Sequence, residues 1–137
     1  MEGKNMWNFQ YDKEPSNLIP TGVYNIIVDK VEVTQSRAGN DMIKLGFKII
    51  DGPYRGRMVF MNYMMSGNEK AVEIARGQLK SLLKCAGKPL DIGGPEGFLD
   101  AMVTASIKIK EDKEYGDKNV ISYFKPFQGA KEEDVPF

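Results

Sequence analysis

Between residues 42 and 50 the chain alternates without a break: Ile43, Leu45, Phe47 and Ile49 fall on one face, and Lys44, Gly46 and Lys48 on the other. A period of two marks a β-strand with one buried side, because successive side chains point to opposite sides of an extended backbone. Such a strand has to pack its aliphatic stripe against a core while presenting two cations outward. Asp51-Gly52-Pro53 then stops it with strong turn chemistry. Residues 57–64 supply a partner strand after Tyr54, Arg55 and Gly56 in the turn, so the second and third strands form a hairpin.

The rest of the chain falls into place around that hairpin. Residues 22–33 (GVYNIIVDKVEV) are rich in β-branched side chains and predict a long first strand, able to bend and serve both sides of a small barrel. A turn with Ser36, Gly39 and Asn40 follows and carries Arg37. Ser66-x-x-Glu69 matches a capping box, and Ala71, Ile74, Ala75, Leu79, Leu82, Leu83 and Ala86 recur at helical spacing until Gly87 and Pro89 end the run. Residues 103–110 and 120–124 predict two further strands beyond a loop centred on Gly93-Gly94-Pro95. Three strands, one helix and two strands is the order of a mainly β, five-stranded OB-fold Greek-key barrel with one α-helix between strands 3 and 4, although other small β-barrels share it.

A chain of 137 residues has room for one such domain plus short extensions. Residues 1–19 read as an arm, with Trp7, Phe9 and Tyr11 among polar residues and with Pro15 breaking any regular element; residues 20–127 form the OB-fold domain, and residues 128–137 a flexible acidic tail. No apolar run approaches the ~18 residues of a membrane span, and the first ten residues lack an export signal, which together predict a cytoplasmic protein with no membrane partner. The chain has no histidine and a single cysteine, Cys85, which sits in the apolar helical stretch and reads as a small hydrophobe. Imidazole chemistry, a structural zinc site and an internal disulfide are thereby excluded. Asp51, Asp91, Asp100, Glu111 and Asp112 lie in separate turns and predict no carboxylate cluster for a metal-dependent nuclease, and Gly93-Gly94-Pro95 lacks the Lys-Ser/Thr of a phosphate loop. The expectation is a non-enzymatic protein with no catalytic residue, no metal and no cofactor.

Net charge is zero, yet residues 131–137 carry one lysine and three acids, which leaves a small cationic surplus on the body. A sequence-tolerant single-strand site needs cations for phosphates and aromatic faces for bases. Both types collect in the strand 2 and 3 region that OB folds use for oligonucleotides: Lys44, Lys48, Arg55 and Arg57 with Tyr54, Phe60 and Tyr63. Arg37 in the first loop, and Lys110, Lys113, Tyr115 and Lys118 around the last hairpin, would form the rims. Phe47 and Tyr24 alternate with aliphatics and read as core. Tyr63, in register with Arg57, reads as the better stacking residue, and Phe60 as ambiguous because strand 3 is apolar on both faces.

The tail, Glu132-Glu133-Asp134-Val135-Pro136-Phe137, has its own physical logic. Phe137 can bury its ring in an apolar pocket, its carboxylate can meet a cation at the rim, and the acids can lie along a basic ridge, while Pro136 limits the conformations lost on docking. The tail resembles that of bacterial single-stranded DNA-binding proteins, which recruit replication and repair enzymes through it. Independently, Pro20-x-Gly22-x-Tyr24, the turn Asp51-Gly52-Pro53-Tyr54-Arg55-Gly56 and the helix end Leu82-Leu83-Lys84-Cys85-Ala86-Gly87 look like the small phage-encoded single-stranded DNA-binding protein family. The resemblance covers about residues 20–127 and implies binding of single-stranded DNA and, through the tail, of replication or recombination proteins. The aromatic arm and the short linker before the tail depart from the bacterial pattern. Exposed strand edges are what self-association would use, so a homo-oligomer is compatible with the sequence. A protein-interaction adaptor on the same scaffold and an RNA-binding module are the rival readings.

Overall fold

A computed structural model describes residues 18–114 and 116–128. Five strands, β1 (Gly22–Gln35), β2 (Asp41–Ile49), β3 (Met58–Met64), β4 (Met102–Lys110) and β5 (Lys118–Pro126), form one antiparallel sheet in the order β3-β2-β1-β4-β5. Among the described residues one helix, α1 (Glu69–Cys85), follows β3, and a single 3₁₀ turn (Pro95–Phe98) precedes β4. The described architecture is therefore mainly β, with a helix in the expected place between the third and fourth strands.

β1 is long because it is shared. Its first part, residues 22–27, pairs with β4, and residues 26–35 pair with β2. The register shifts between Val28 and Lys30, a bulge that bends the strand where it passes from one neighbour to the other. The sheet curls enough to bring its edges β3 and β5 together: the Ile121 N–H points at Met61 Sδ, 3.5 Å away.

The concave side holds the core. Ile26 and Val28, the whole stripe Ile43, Leu45, Phe47 and Ile49, and Val103, Ala105 and Ile107 are buried together. Phe47 meets Phe124 with ring centroids 5.8 Å apart. α1 packs Ala75, Leu79, Leu82 and Leu83 against the same core, and Cys85 lies half-buried beside it. Ile74, which shares the helical spacing of that apolar stripe, faces solvent. Ile19, at the last position of the expected arm, is 1% exposed. Asn119 clamps it from β5, accepting from the Ile19 N–H at 2.9 Å and donating to its carbonyl at 2.8 Å.

One local expectation is corrected. Asn68, not Ser66, caps α1: its Oδ1 accepts from the Ala71 N–H at 3.0 Å, and Glu69 is the first helical residue. Ser66 instead accepts from the Asp41 N–H at 2.8 Å, tying the approach to the helix to the start of β2. Asparagine caps at least as well as serine, and the tertiary bond to Asp41 takes the Ser66 hydroxyl out of competition. Among the described residues no helix is long and apolar enough to cross a membrane.

Phe47 is fully buried at the contact between the two halves of the sheet. Replacing it with alanine should lower unfolding free energy by about 3–5 kcal/mol, read as a reduced urea midpoint at unchanged slope.

Candidate functional site

Because β2 turns Ile43, Leu45, Phe47 and Ile49 inward, Lys44, Gly46 and Lys48 face out. The β2–β3 ladder sets Asn62 beside Lys44, Phe60 beside Gly46 and Met58 beside Lys48. Phe60 is 48% exposed, and its ring spreads over Gly46. A Cβ at position 46 would stand 2.8 Å from Phe60 Cε1, 3.0 Å from Met58 Cε and 3.2 Å from Lys30 Cβ. Gly46 is thus the floor on which the aromatic ring rests, and a larger residue would lift it. Lys44 Nζ lies 5.5 Å from the ring centroid, within cation–π range.

The remaining cations differ in what surrounds them. Lys48 Nζ is 3.9 Å from Asp29 Oδ1, and both side chains are exposed enough for water and salt to screen the pair. Arg55 is exposed in the β2–β3 turn, whereas Arg57 is half-buried. Arg37 is exposed in the β1–β2 turn, and Lys110, Lys113 and Lys118 are exposed around the β4–β5 turn. Tyr54 is not on the outer face of β2–β3. It packs edge-on against Tyr24, with centroids 6.1 Å apart and planes at 83°. The Tyr24 hydroxyl donates to the Pro20 carbonyl at 2.7 Å, and burial, with the neighbouring Tyr54 second, raises its pKa. Tyr115 and residues 132–137 lie outside the described residues.

Tyr63 is the main correction among the site residues. It lies opposite Ile43 on the concave side of β3, beside Val59, and is 3% exposed. A ring packed there has no face to offer a ligand. The two faces of β3 are about equally apolar in sequence, so the choice between Phe60 and Tyr63 came only with the register against β2. Burial pushes the Tyr63 phenol pKa up, and its hydroxyl has no hydrogen-bond partner among the described residues.

Two outward residues escaped sequence reasoning. Lys30 flanks Gly46 from β1 because the bulge at Asp29 resets which side chains face out. Tyr123 is 48% exposed on β5, again through a bulge. Neither bulge has a glycine or proline signal in the sequence. Among the described residues no group of three or more His, Cys, Asp or Glu could hold a metal ion.

A family model for a protein of unknown function, DUF669, matches residues 8–135. The chain belongs to the DUF669 family. No curated protein matches it. The DUF669 match runs through all five strands and α1, so the exposed ring over Gly46 and its lysines belong to the family domain itself.

Tyr63→Phe in this DUF669 domain should leave stability unchanged or raise it by about 1 kcal/mol, because it removes a buried hydroxyl that lacks a partner. A fall in thermal midpoint would show that the hydroxyl is satisfied.

Proposed function

We propose that this DUF669 protein binds single-stranded DNA without strong sequence preference on the outer face of β2–β3. The single observation that carries the reading is the exposed Phe60 ring seated on Gly46 with Lys44 over it. Stacking platforms set among cations are how single strands are held regardless of sequence, since every base has a π-face and every nucleotide a phosphate. The strand order, with β1 shared and the β3 and β5 edges drawn together, supports an OB-type Greek-key barrel. In such barrels the strand 2 and 3 face and the 1–2 and 4–5 loops take oligonucleotides. Here those loops carry Arg37 and Lys113. The acidic segment 132–137 serves, in this reading, to recruit replication or recombination proteins, and the protein acts as a binding platform in the host cytoplasm and not as an enzyme.

Phosphate neutralisation and stacking separate experimentally. Affinity for oligo-dT should fall with salt at a log–log slope near −0.7 per phosphate contacted. Lys44→Gln and Lys48→Gln should each flatten that slope. Phe60→Ala should cost ~1–3 kcal/mol of binding while leaving the slope nearly intact. Gly46→Ala should mimic Phe60→Ala, because its methyl group occupies the position now taken by the ring edge. Fluorescence anisotropy titrations at several salt concentrations read all four variants. Equal affinity for duplex of the same length, or a Phe60→Ala protein that binds as tightly as wild type, would remove the reading. Oligo-U preferred over oligo-dT would turn it towards RNA.

Deleting residues 132–137 should abolish partner capture without weakening DNA binding. Three acids have the wrong sign to touch phosphate and compete with it for cations, so affinity should rise slightly, most at low salt. Sharply weakened oligo-dT binding by a folded truncated protein would place the tail in the DNA site instead.

A further inference from the structure

The outer face of the β4–β5 hairpin is a second cationic surface, distinct from the one on β2–β3. Along β4 the residues Val103, Ala105 and Ile107 point into the core, which turns Lys108 and Lys110 outward. The β4–β5 register sets Lys118 directly opposite Lys110, Val120 opposite Lys108, Tyr123 opposite Ser106 and Lys125 opposite Thr104. Directly opposed residues share a face, so four lysines and a half-exposed tyrosine stand together on one side of the hairpin. That strand face carries no carboxylate. Nor, among the described residues, is any of the four lysines in an ion pair. The nearby acids lie in the turn, where Asp112 and Asp117 accept backbone N–H groups of the turn itself.

Two features indicate that this surface is adapted to an anionic, aromatic ligand. Lys110 and Lys118 are a like-charged pair placed directly across the ladder, an arrangement that destabilises a free hairpin and that a polyanion relieves. The register slips by one residue between Ser106 and Ile107, leaving Ser122 as the extra residue on β5. Because of that bulge both Ile121 and Phe124 reach the core, and Tyr123 is aimed outward between them. Lys125 follows Tyr123 by two residues on β5 and Lys108 follows its partner Ser106 by two on β4, so along the strand direction the two lysines lie roughly 7 Å above and below the level of Tyr123. β3 and β5 are also the edges drawn together by the curl of the sheet, so Phe60 and Tyr123 face outward from neighbouring strands.

We propose that the outer face of β4–β5 is a second contact surface for a single-stranded polynucleotide. Tyr123 stacks a base, and Lys108, Lys110, Lys118 and Lys125 neutralise phosphates. One strand passes from β2–β3 across the β3–β5 seam onto this face. The inference rests on the reading of β2–β3 as a single-strand site and extends it around the molecule.

The test uses the full chain and fluorescent oligo-dT of about 4 and about 16 nucleotides, which bracket the range covered by one OB fold. Tyr123→Ala, a variant with glutamine at all four lysines, and Phe60→Ala are titrated in parallel, with thermal midpoints confirming that each is folded. Tyr123→Ala should weaken the longer oligonucleotide about 5- to 150-fold, the range one stacked base supports. The four-lysine variant should lower the magnitude of the salt slope by about 0.7 for each phosphate it no longer neutralises. Combining Tyr123→Ala with Phe60→Ala should multiply the two losses on the longer oligonucleotide. If the Tyr123 and lysine variants match wild type at both lengths and all salts while Phe60→Ala binds weakly, the second surface is refuted and the β2–β3 reading stands. If wild type binds neither oligonucleotide, both fall.

Discussion

β1 is hydrogen-bonded to β4 along residues 22–27 and to β2 along residues 26–35, and every other pairing in the sheet hangs from one of those two ladders. A 14-residue strand cannot serve two neighbours in a curled sheet while staying straight. The bulge at Asp29 supplies the bend, and it does so by inserting a residue that changes which side chains face out. Ile26 and Val28 before it are buried, Lys30 after it flanks Gly46, and the outward surface of the hairpin is completed from β1. Fold and site therefore share one irregularity.

The arrangement around Phe60 illustrates how a β-sheet can keep an aromatic ring exposed. A free phenyl group on a β-sheet would collapse onto neighbouring apolar atoms. Here Gly46 gives it a flat seat, Met58 and Lys30 close the sides, and Lys44 approaches the ring through the quadrupole. The ring is held in place without being covered, so a flat ligand stacking there, as proposed, would cost little side-chain entropy. Electrostatics on this face is modest. Asp29 offsets part of the Lys48 charge, and Glu32 stands opposite Lys44 in the β1–β2 ladder. The charge of β2–β3 is thus partly offset, whereas the four lysines of β4–β5 have no such offset on their own face. The formal net charge of zero hides this segregation, because averaging over the chain cancels the acidic segment 131–137 against the body.

Hydrogen bonds of long sequence separation fasten the parts that strand pairing leaves loose. Asn119 holds Ile19 against the start of β5, and Ser66 ties the approach to α1 to the start of β2. A polar chain on the convex side runs from Asp51 through Asn25 and Thr104 to the Gln128 N–H, with Asn25 Nδ2 to Asp51 Oδ2 at 2.9 Å and the Gln128 N–H to Thr104 Oγ1 at 2.8 Å. That last contact fixes where the chain leaves the sheet.

Local signals, namely periodicity, β-branched content and turn residues, were enough to read the five strands, their order with one helix between the third and fourth, and the inward stripe of β2. Period two and period 3.6 are imposed by backbone geometry and need no knowledge of neighbours. The outward placement of Lys44, Gly46 and Lys48 followed from the same alternation. What periodicity could not decide was any position where two faces are equally apolar or where the count slips. β3 offers Val59, Met61 and Tyr63 on one side and Met58, Phe60 and Met64 on the other, and only pairing with β2 sent Tyr63 inward and Phe60 out. The adjacent Tyr123 and Phe124 were separated by a bulge whose position depends on the partner strand. The Ser66 hydroxyl was claimed by Asp41, 25 residues away in the chain. Tertiary structure decided these positions because each depends on energies between segments far apart in sequence, to which the local pattern is blind.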